Sequence, residues 1–212
     1  MTPTRTLFLS SCRDVATALA DPRVHQAWDE PSVLEQQTVG SVAAHVGRGC
    51  WIALRYLDGG EPTGPIDFDS AADYFAKLME AATPKLHSGI RERGAEGATA
   101  GSQSVHQQLI DELAVLEGRL TEERNDRLVT VYGDNTMYLD DYLETRIVEQ
   151  VVHLDDLAQS IGVEPFEVAA EAAKLAIACG ADIGSRRFGA AAMVRALFRE
   201  CSDEDGFPLP VL

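Results

Sequence analysis

Two side chains that commonly bind metals stand four residues apart in a long helical pattern of this sequence. Glu149 and His153 therefore project from one face of an α-helix, one turn apart, and their donor atoms can converge. Such a pair also arises often by chance, as a surface ion pair or a capped imidazole, so it is weak evidence by itself. His45 adds a third candidate ligand, since it lies in the middle of the most apolar helical segment. Two histidines and one glutamate supply three ligands and leave one coordination position open, as catalytic divalent-metal sites do.

The helix face that carries Glu149 is unusually polar for a segment that is otherwise apolar. Steps of three and four residues along this face add Tyr142, Arg146 and Asp156. Burial of charged groups of these kinds is costly unless they pair or coordinate a cation. The face is therefore either solvated or part of a site. In a site, these three residues are candidates for binding the substrate or for orienting the metal ligands.

The balance of charge argues against nucleic acid and membranes as partners. The 212 residues include 34 acidic and 18 basic side chains, and the formal net charge of −16 repels phosphate backbones and anionic lipids. The sequence has neither a long uninterrupted apolar stretch nor a signal sequence in its first residues, so we expect a cytoplasmic protein. Cys12, Cys50, Cys179 and Cys201 are too scattered for a disulfide framework or a cysteine zinc site, and we expect free thiols.

The hydrophobic period is helical almost throughout, which predicts an all-α fold. The predicted helices are residues 3–20, 39–57, about 70–92, 104–123, 135–162, 165–181 and 187–200. Thr38 is the expected N-cap of the second helix, and Gly59 and Gly60 are its expected end. We expect a flexible glycine-rich connection over residues 94–102, a short extended segment over 128–133 and an irregular end over 202–212.

Two segments of the sequence resemble a known family. TVGSVAAHVGRG (38–49) and YLETRIVEQVVHLDDLAQSIGV (142–163) are similar to the DinB-like superfamily, and in particular to the metal-binding N-terminal domain of mycothiol-dependent maleylpyruvate isomerases. The resemblance spans about residues 5–165. It implies a four-helix bundle over residues 1–163 that binds a divalent metal, usually zinc, through His45, Glu149 and His153.

Three further polar residues of the helix that carries Glu149 and His153 also recur in the family pattern. These are Arg146, Asp155 and Asp156, which the resemblance assigns to the pocket or to positions behind the metal ligands. Residues 164–212 are expected to form a short helical extension packed on the bundle, where the isomerases carry a larger C-terminal domain.

The resemblance implies a metal-dependent thiol S-transferase or a thiol-assisted isomerase that acts on a small electrophilic substrate. The cation, Zn²⁺ or another divalent ion such as Ni²⁺, would hold a low-molecular-weight thiol as thiolate, and mycothiol is the implied co-substrate. Two alternatives stay open. One is a hydrolase whose cation activates water with Glu149 or Asp156 as base, and the other is a non-catalytic bundle that binds a metal or small ligand. A homodimer is compatible with such a bundle, although no sequence feature decides it.

Overall fold

The computed structural model describes residues 1–81 and 83–199, and for residues 84–87 it describes the backbone alone. The prediction of an all-α fold is confirmed, since 71% of the described residues are helical and these residues contain a single two-stranded sheet. The helices are α1 (Pro3–Leu19), α2 (Pro22–Gln26), α3 (Val39–Asp58), α4 (Ala71–Glu80), α5 (Pro84–Ala98), α6 (Ser102–Glu122), α7 (Leu139–Ser160), α8 (Ala170–Phe188) and α9 (Ala190–Phe198). The strands are β1 (Leu128–Thr130) and β2 (Thr136–Tyr138).

Four long helices form a bundle around one apolar core. α1 and α3 each pack against both α6 and α7, and they also contact each other. Their inward faces are fully buried at residues such as Phe8, Val39, Leu116 and Ile147, and apolar burial of this kind is the main favourable term in folding. α4, α5 and α8 pack on the outside of this bundle. None of the helices in the described part is long and apolar enough to span a membrane.

The helix that carries His45 begins and ends where the sequence predicts. The Thr38 side chain accepts a hydrogen bond from the Ser41 backbone N–H at the start of α3, and Gly59 follows the last residue of the helix. These contacts satisfy backbone groups that a helix end leaves without partners. The two expected ends of α3 are therefore confirmed, and His45 lies about two turns after the capped start of this helix.

The start of α7 differs from the prediction. The sequence predicts a helix over residues 136–138, but they form β2, which pairs antiparallel with β1 through a tight turn. Gly133 and Asp134 have φ values of 74° and 61°, and this left-handed turn returns the chain so that Val129 lies opposite Met137. Both of these side chains are fully buried, so the tertiary core selects a hairpin over a longer helix.

The prediction of one long helix over residues 70–92 is also wrong, because this segment belongs to two separate helices. Pro84 lacks a backbone N–H and disfavours a helical conformation at the residue before it, so α4 ends at Glu80 and α5 begins at Pro84. The connection expected over residues 94–102 is helical as far as Ala98. Gly94 and Gly97 face α3, where a Cβ atom would lie 3.0 Å from the Ser41 carbonyl oxygen and 3.1 Å from the Ala44 Cβ atom. These glycines therefore allow two helices to approach closely, and they do not form a loop.

The helices after the bundle are shifted relative to the prediction. α8 begins at Ala170, because residues 165–169 pass along the bundle in a non-helical segment whose Ala169 N–H bonds the Asp14 carboxylate at 3.1 Å. α8 then continues past the expected end at 181 as far as Phe188, where Gly189, at φ 89°, separates it from α9. The irregular end expected over residues 202–212 lies outside the described residues.

A buried arginine ties the end of α6 to the start of α7. Arg5 is fully buried and donates hydrogen bonds to the carbonyl oxygens of Leu120, Glu123 and Arg124, and to the Asp140 carboxylate at 2.7 Å. Its charge is therefore compensated, and carbonyls at the C-terminal end of a helix gain donors. This network fixes the position from which α7 runs across the bundle.

Candidate metal centre

The three expected ligands meet between α3 and α7. His45 Nε2 lies 3.0 Å from Glu149 Oε2, and His153 Nε2 lies 3.7 Å from the same oxygen. The two imidazole rings stand edge to face with their centres 4.9 Å apart. Their side chains are 23%, 25% and 19% exposed for His45, Glu149 and His153, so the group is mostly buried but open on one side. We call these three residues the triad.

The triad concentrates one negative charge between positive groups. Burial alone would raise the pKa of the Glu149 carboxyl, but the charge of Arg146, the contact with His153 and the hydrogen bond with His45 outweigh burial and hold that pKa well below its usual range. Burial would lower the pKa of His153, yet the hydrogen bond with Asp156 and the nearby Glu149 carboxylate outweigh it and raise the pKa to about 9. Without a cation, the site thus holds a carboxylate beside an imidazolium at neutral pH, and a cation that binds there displaces a proton.

Asp156 orients one of the two histidines. Its Oδ2 atom lies 2.8 Å from His153 Nδ1, which leaves Nε2 directed at Glu149. A carboxylate on the far nitrogen of a metal-binding imidazole fixes the ring and its tautomer. Asp155, which the resemblance groups with Asp156, is exposed and accepts a hydrogen bond from Gln159.

Arg146 and Tyr142 form the next layer along α7. The Arg146 Nη1 atom lies 3.9 Å from Glu149 Oε2, its Nε donates to Thr145 Oγ1 at 3.0 Å, and its guanidinium lies 5.1 Å from the centre of the Tyr142 ring. Tyr142 is itself buried and packs edge to face on Tyr56. The polar stripe predicted on this helix is therefore one continuous chain of contacts from Tyr142 to Asp156.

The donor set fits a divalent cation of the zinc type. The three ligand atoms lie within 4.8 Å of one another, whereas tetrahedral coordination at about 2.0–2.1 Å separates ligand atoms by roughly 3.4 Å. A small inward movement of the imidazoles would close that gap. Two neutral imidazole nitrogens with one carboxylate oxygen are ligands that zinc and related transition metals accept, and three protein ligands leave a position for a substrate.

The comparison with known families agrees with this geometry. Residues 8–158 match the family model of the mycothiol maleylpyruvate isomerase N-terminal domain, which lies within the DinB-like superfamily. The chain belongs to this family. The matched region contains the whole triad and ends inside α7, before α8 and α9 begin. No curated protein and no solved structure matches the chain.

In this member of the mycothiol maleylpyruvate isomerase N-terminal domain family, a cavity of about 280 Å³ adjoins the triad. Glu149 and Arg146 form its inner wall, and we call it the site cavity. The other side chains that line it come from α3, α4, α5 and the hairpin turn, and they are Arg48, Tyr56, Tyr74, Leu78, Ile90, Arg93 and Tyr132. The cavity volume suits a small molecule.

The site cavity is cationic although the chain as a whole is strongly acidic. Burial lowers the pKa of Arg48, and the nearby charge of Arg93 lowers it further. In the part of the chain that the structure describes, no carboxylate lies within ion-pair distance of either guanidinium, whereas Arg146 approaches Glu149. Two arginines without acidic partners therefore face a cavity whose single carboxylate belongs to the triad.

Sequence reasoning missed the residues of this cavity outside α7. Arg48 had a usable signal, since it lies three residues after His45 and so near the same helix face. Tyr74 and Tyr132 had none, because α4 and the hairpin turn reach the site only through tertiary packing. Arg93 was obscured by the expectation that the helix before it ends near residue 92.

Proposed function

We propose that this chain is a metal-dependent thiol transferase or thiol-assisted isomerase that acts on a small electrophile. The triad of His45, Glu149 and His153 binds the cation, with Zn²⁺ as first choice, and mycothiol is the thiol. The observation that carries the proposal is the convergence of these three ligand atoms beside the site cavity in a member of this family.

The polar residues of α7 in and beside the triad have separate roles in this proposal. A bound divalent cation would lower the pKa of a coordinated thiol, so that the sulfur nucleophile is thiolate at neutral pH. Asp156 keeps His153 Nε2 directed at the cation site, and Arg146 keeps the Glu149 carboxylate ionised. Stacking on Tyr142 and the hydrogen bond to Thr145 hold Arg146 in place.

The arginines of the site cavity favour an acceptor that carries an anionic group. Arg48 and Arg93 approach the cavity from two helices, and an anion between them would relieve the repulsion of two like charges. A guanidinium binds a carboxylate with two parallel hydrogen bonds, which fixes orientation as well as affinity. We infer that the anionic end of the acceptor points at Arg48 and that its electrophilic atom faces the triad.

Two other functions receive less support from the geometry. A hydrolase would need a free carboxylate as base, but Asp156 is bonded to His153, and Glu149 lies between both histidines. A non-catalytic metal-binding bundle would be expected to saturate its metal with protein ligands and to lack an adjoining pocket, whereas the triad adjoins the site cavity.

The decisive experiment compares a thiol with water as the nucleophile. Protein without a histidine tag is loaded with Zn²⁺, and consumption of a panel of electrophiles is measured with mycothiol, with other low-molecular-weight thiols, and with no thiol. Consumption that requires thiol and is lost after chelation supports the proposal. Equal turnover in the absence of thiol would favour hydrolysis.

The ligand assignment is tested separately from turnover. His45→Ala, Glu149→Gln and His153→Ala should each lower bound metal from one equivalent to a small fraction of it. His106→Ala is the matched control, because His106 lies on α6 outside the triad. A His45→Ala protein that is inactive yet retains a full equivalent of metal would contradict the assignment.

A further inference from the structure

Two cysteines from different helices contact the same buried side-chain amide, that of Gln150, which directly follows the triad residue Glu149. Gln150 Nε2 donates to Cys12 Sγ at 3.3 Å and to Cys50 Sγ at 3.4 Å. Cys12 lies on α1 and Cys50 on α3, and both side chains are at most 1% exposed. Burial, together with a hydrogen bond between the two thiols, raises the pKa of Cys12 well above its usual value. The two sulfur atoms are therefore close neighbours in the core.

The polar groups of this cluster are weakly satisfied. The Gln150 Oε1 atom is buried without a hydrogen-bond partner in the part of the chain that the structure describes. The Cys50 thiol makes a long contact of 3.5 Å with the Val46 carbonyl. Thiols are poor hydrogen-bond donors, so removal of the two S–H protons sacrifices little binding energy.

We propose that Cys12 and Cys50 form a disulfide between α1 and α3 when the protein is exposed to hydrogen peroxide. One thiol is oxidised to a sulfenic acid while peroxide is reduced to water. The second sulfur then displaces the hydroxyl group, which leaves as a second water molecule with the thiol proton. Two thiols and one peroxide thus give one disulfide and two waters. Because both sulfurs are buried, the reaction requires local opening of the core and is slow.

The position of this pair gives the crosslink a structural consequence. Cys50 shares α3 with His45, and Gln150 directly follows Glu149 on α7. The disulfide would close a loop of roughly 40 residues and restrict the unfolded chain accordingly. It would link α1 to the helix that supplies one triad residue, without the use of any triad atom.

The test uses the full chain in a Cys179→Ser/Cys201→Ser background, in which only the proposed pair remains. The native protein is treated with hydrogen peroxide, alkylated and digested with trypsin. We expect peptides 6–13 and 49–55 to appear as one linked species that separates on reduction. The thermal midpoint should rise by roughly 5–10 °C and return after dithiothreitol. Cys50→Ala in the same background is the control, and its midpoint should not respond.

Three results would overturn the proposal. The first is oxidation of the two cysteines to sulfinic or sulfonic acids on separate peptides. The second is a linked species that forms in urea but not under native conditions. The third is a linked species without a shift in the midpoint, because a disulfide that fits the folded core without strain should raise the midpoint. None of these results bears on thiol-dependent turnover, which is measured with the reduced protein.

Discussion

Asp156 Oδ2 lies 2.8 Å from His153 Nδ1, the imidazole nitrogen that does not face Glu149. Because this contact fixes the ring, Asp156→Ala should weaken metal binding although Asp156 itself is not a ligand. Loss of such a partner typically lowers affinity by about 10–100-fold. The dissociation constant for Zn²⁺ is measured by competition with a chromophoric chelator.

Asp155→Ala supplies the matched control for this prediction. It removes the neighbouring carboxylate from the same helix, but Asp155 is exposed and bonds Gln159. Its metal affinity should equal that of the unsubstituted chain. Equal losses in the two variants would mean that overall negative charge, and not the bond to His153, governs metal affinity.

Arg48→Met should raise KM for an anionic acceptor by roughly tenfold or more, with kcat and bound metal unchanged. The Arg48 guanidinium lines the site cavity and has no carboxylate partner in the described part of the chain. Its removal therefore lowers the affinity for the acceptor and breaks no ion pair. The measurement compares an acceptor acid with its uncharged amide. The difference in KM between them should shrink in the variant.

Arg55→Met is the control for Arg48→Met, because Arg55 is exposed near the end of the same helix. It removes the same charge from α3 without a change in the lining of the site cavity. An Arg55 variant with the same rise in KM would indicate long-range attraction in place of local recognition.

Two glycine substitutions should change stability in opposite directions. A Cβ atom at Gly40 would lie 2.6 Å from the buried Trp28 ring, so Gly40→Ala should lower the free energy of unfolding by about 1–2 kcal/mol. At Gly118, on α6, an added methyl group would meet no neighbouring atom within 4 Å beyond the helix's own backbone. Gly118→Ala should therefore raise the free energy by about 0.5–1 kcal/mol, because alanine favours the helix. Urea unfolding measures the free energy for both variants. A lower free energy of unfolding in Gly118→Ala as well as in Gly40→Ala would contradict this packing.

The stability of the chain should respond to pH through Asp141. Burial raises the pKa of this carboxyl from 3.8 to about 6, and the charges of Asp140 and Asp69 contribute. The folded state therefore holds this proton more tightly than the unfolded state, and the associated stability is lost as pH rises from about 4 to 6. Asp141→Asn removes that loss and, with solvent screening allowed for, should stabilise the fold by about 1 kcal/mol at pH 7.5.

The same substitution should give no gain at pH 4, where the carboxyl is protonated in the folded protein. Glu122→Gln, at an exposed position of α6, serves as the control and should show no such dependence. Thermal unfolding across this pH range provides the comparison. A gain from Asp141→Asn that is independent of pH would indicate helix propensity in place of titration.

The bundle and the pair on α7 could be predicted from the sequence, because both depend on periodicity within single helices. Thr38 caps α3 as predicted, and the spacing of Glu149 and His153 places them on one face. His45 needed the family resemblance, since no local pattern indicates which helices become neighbours. That the triad binds metal, that the protein is cytoplasmic and that nucleic acid is not a partner stay predictions.

The errors arose where tertiary contacts override local preference. Thr136 and Met137 are buried against the core and pair with β1, although the segment reads as the start of a helix. Gly94 and Gly97 resemble loop residues in sequence, but they occupy a helix that packs closely on α3. In both cases the deciding partner is distant along the chain.

The close packing of α5 on α3 also sets the width of the site cavity. Ile90 and Arg93 form one wall from α5, and Arg48 faces them from α3. A methyl group at Gly94 or Gly97 would force the two helices apart by a few tenths of an ångström. The two glycines thus keep α3 and α5 at their smallest separation. Alanine at either position would widen the site cavity, so that it admits a bulkier acceptor and binds a small one more weakly.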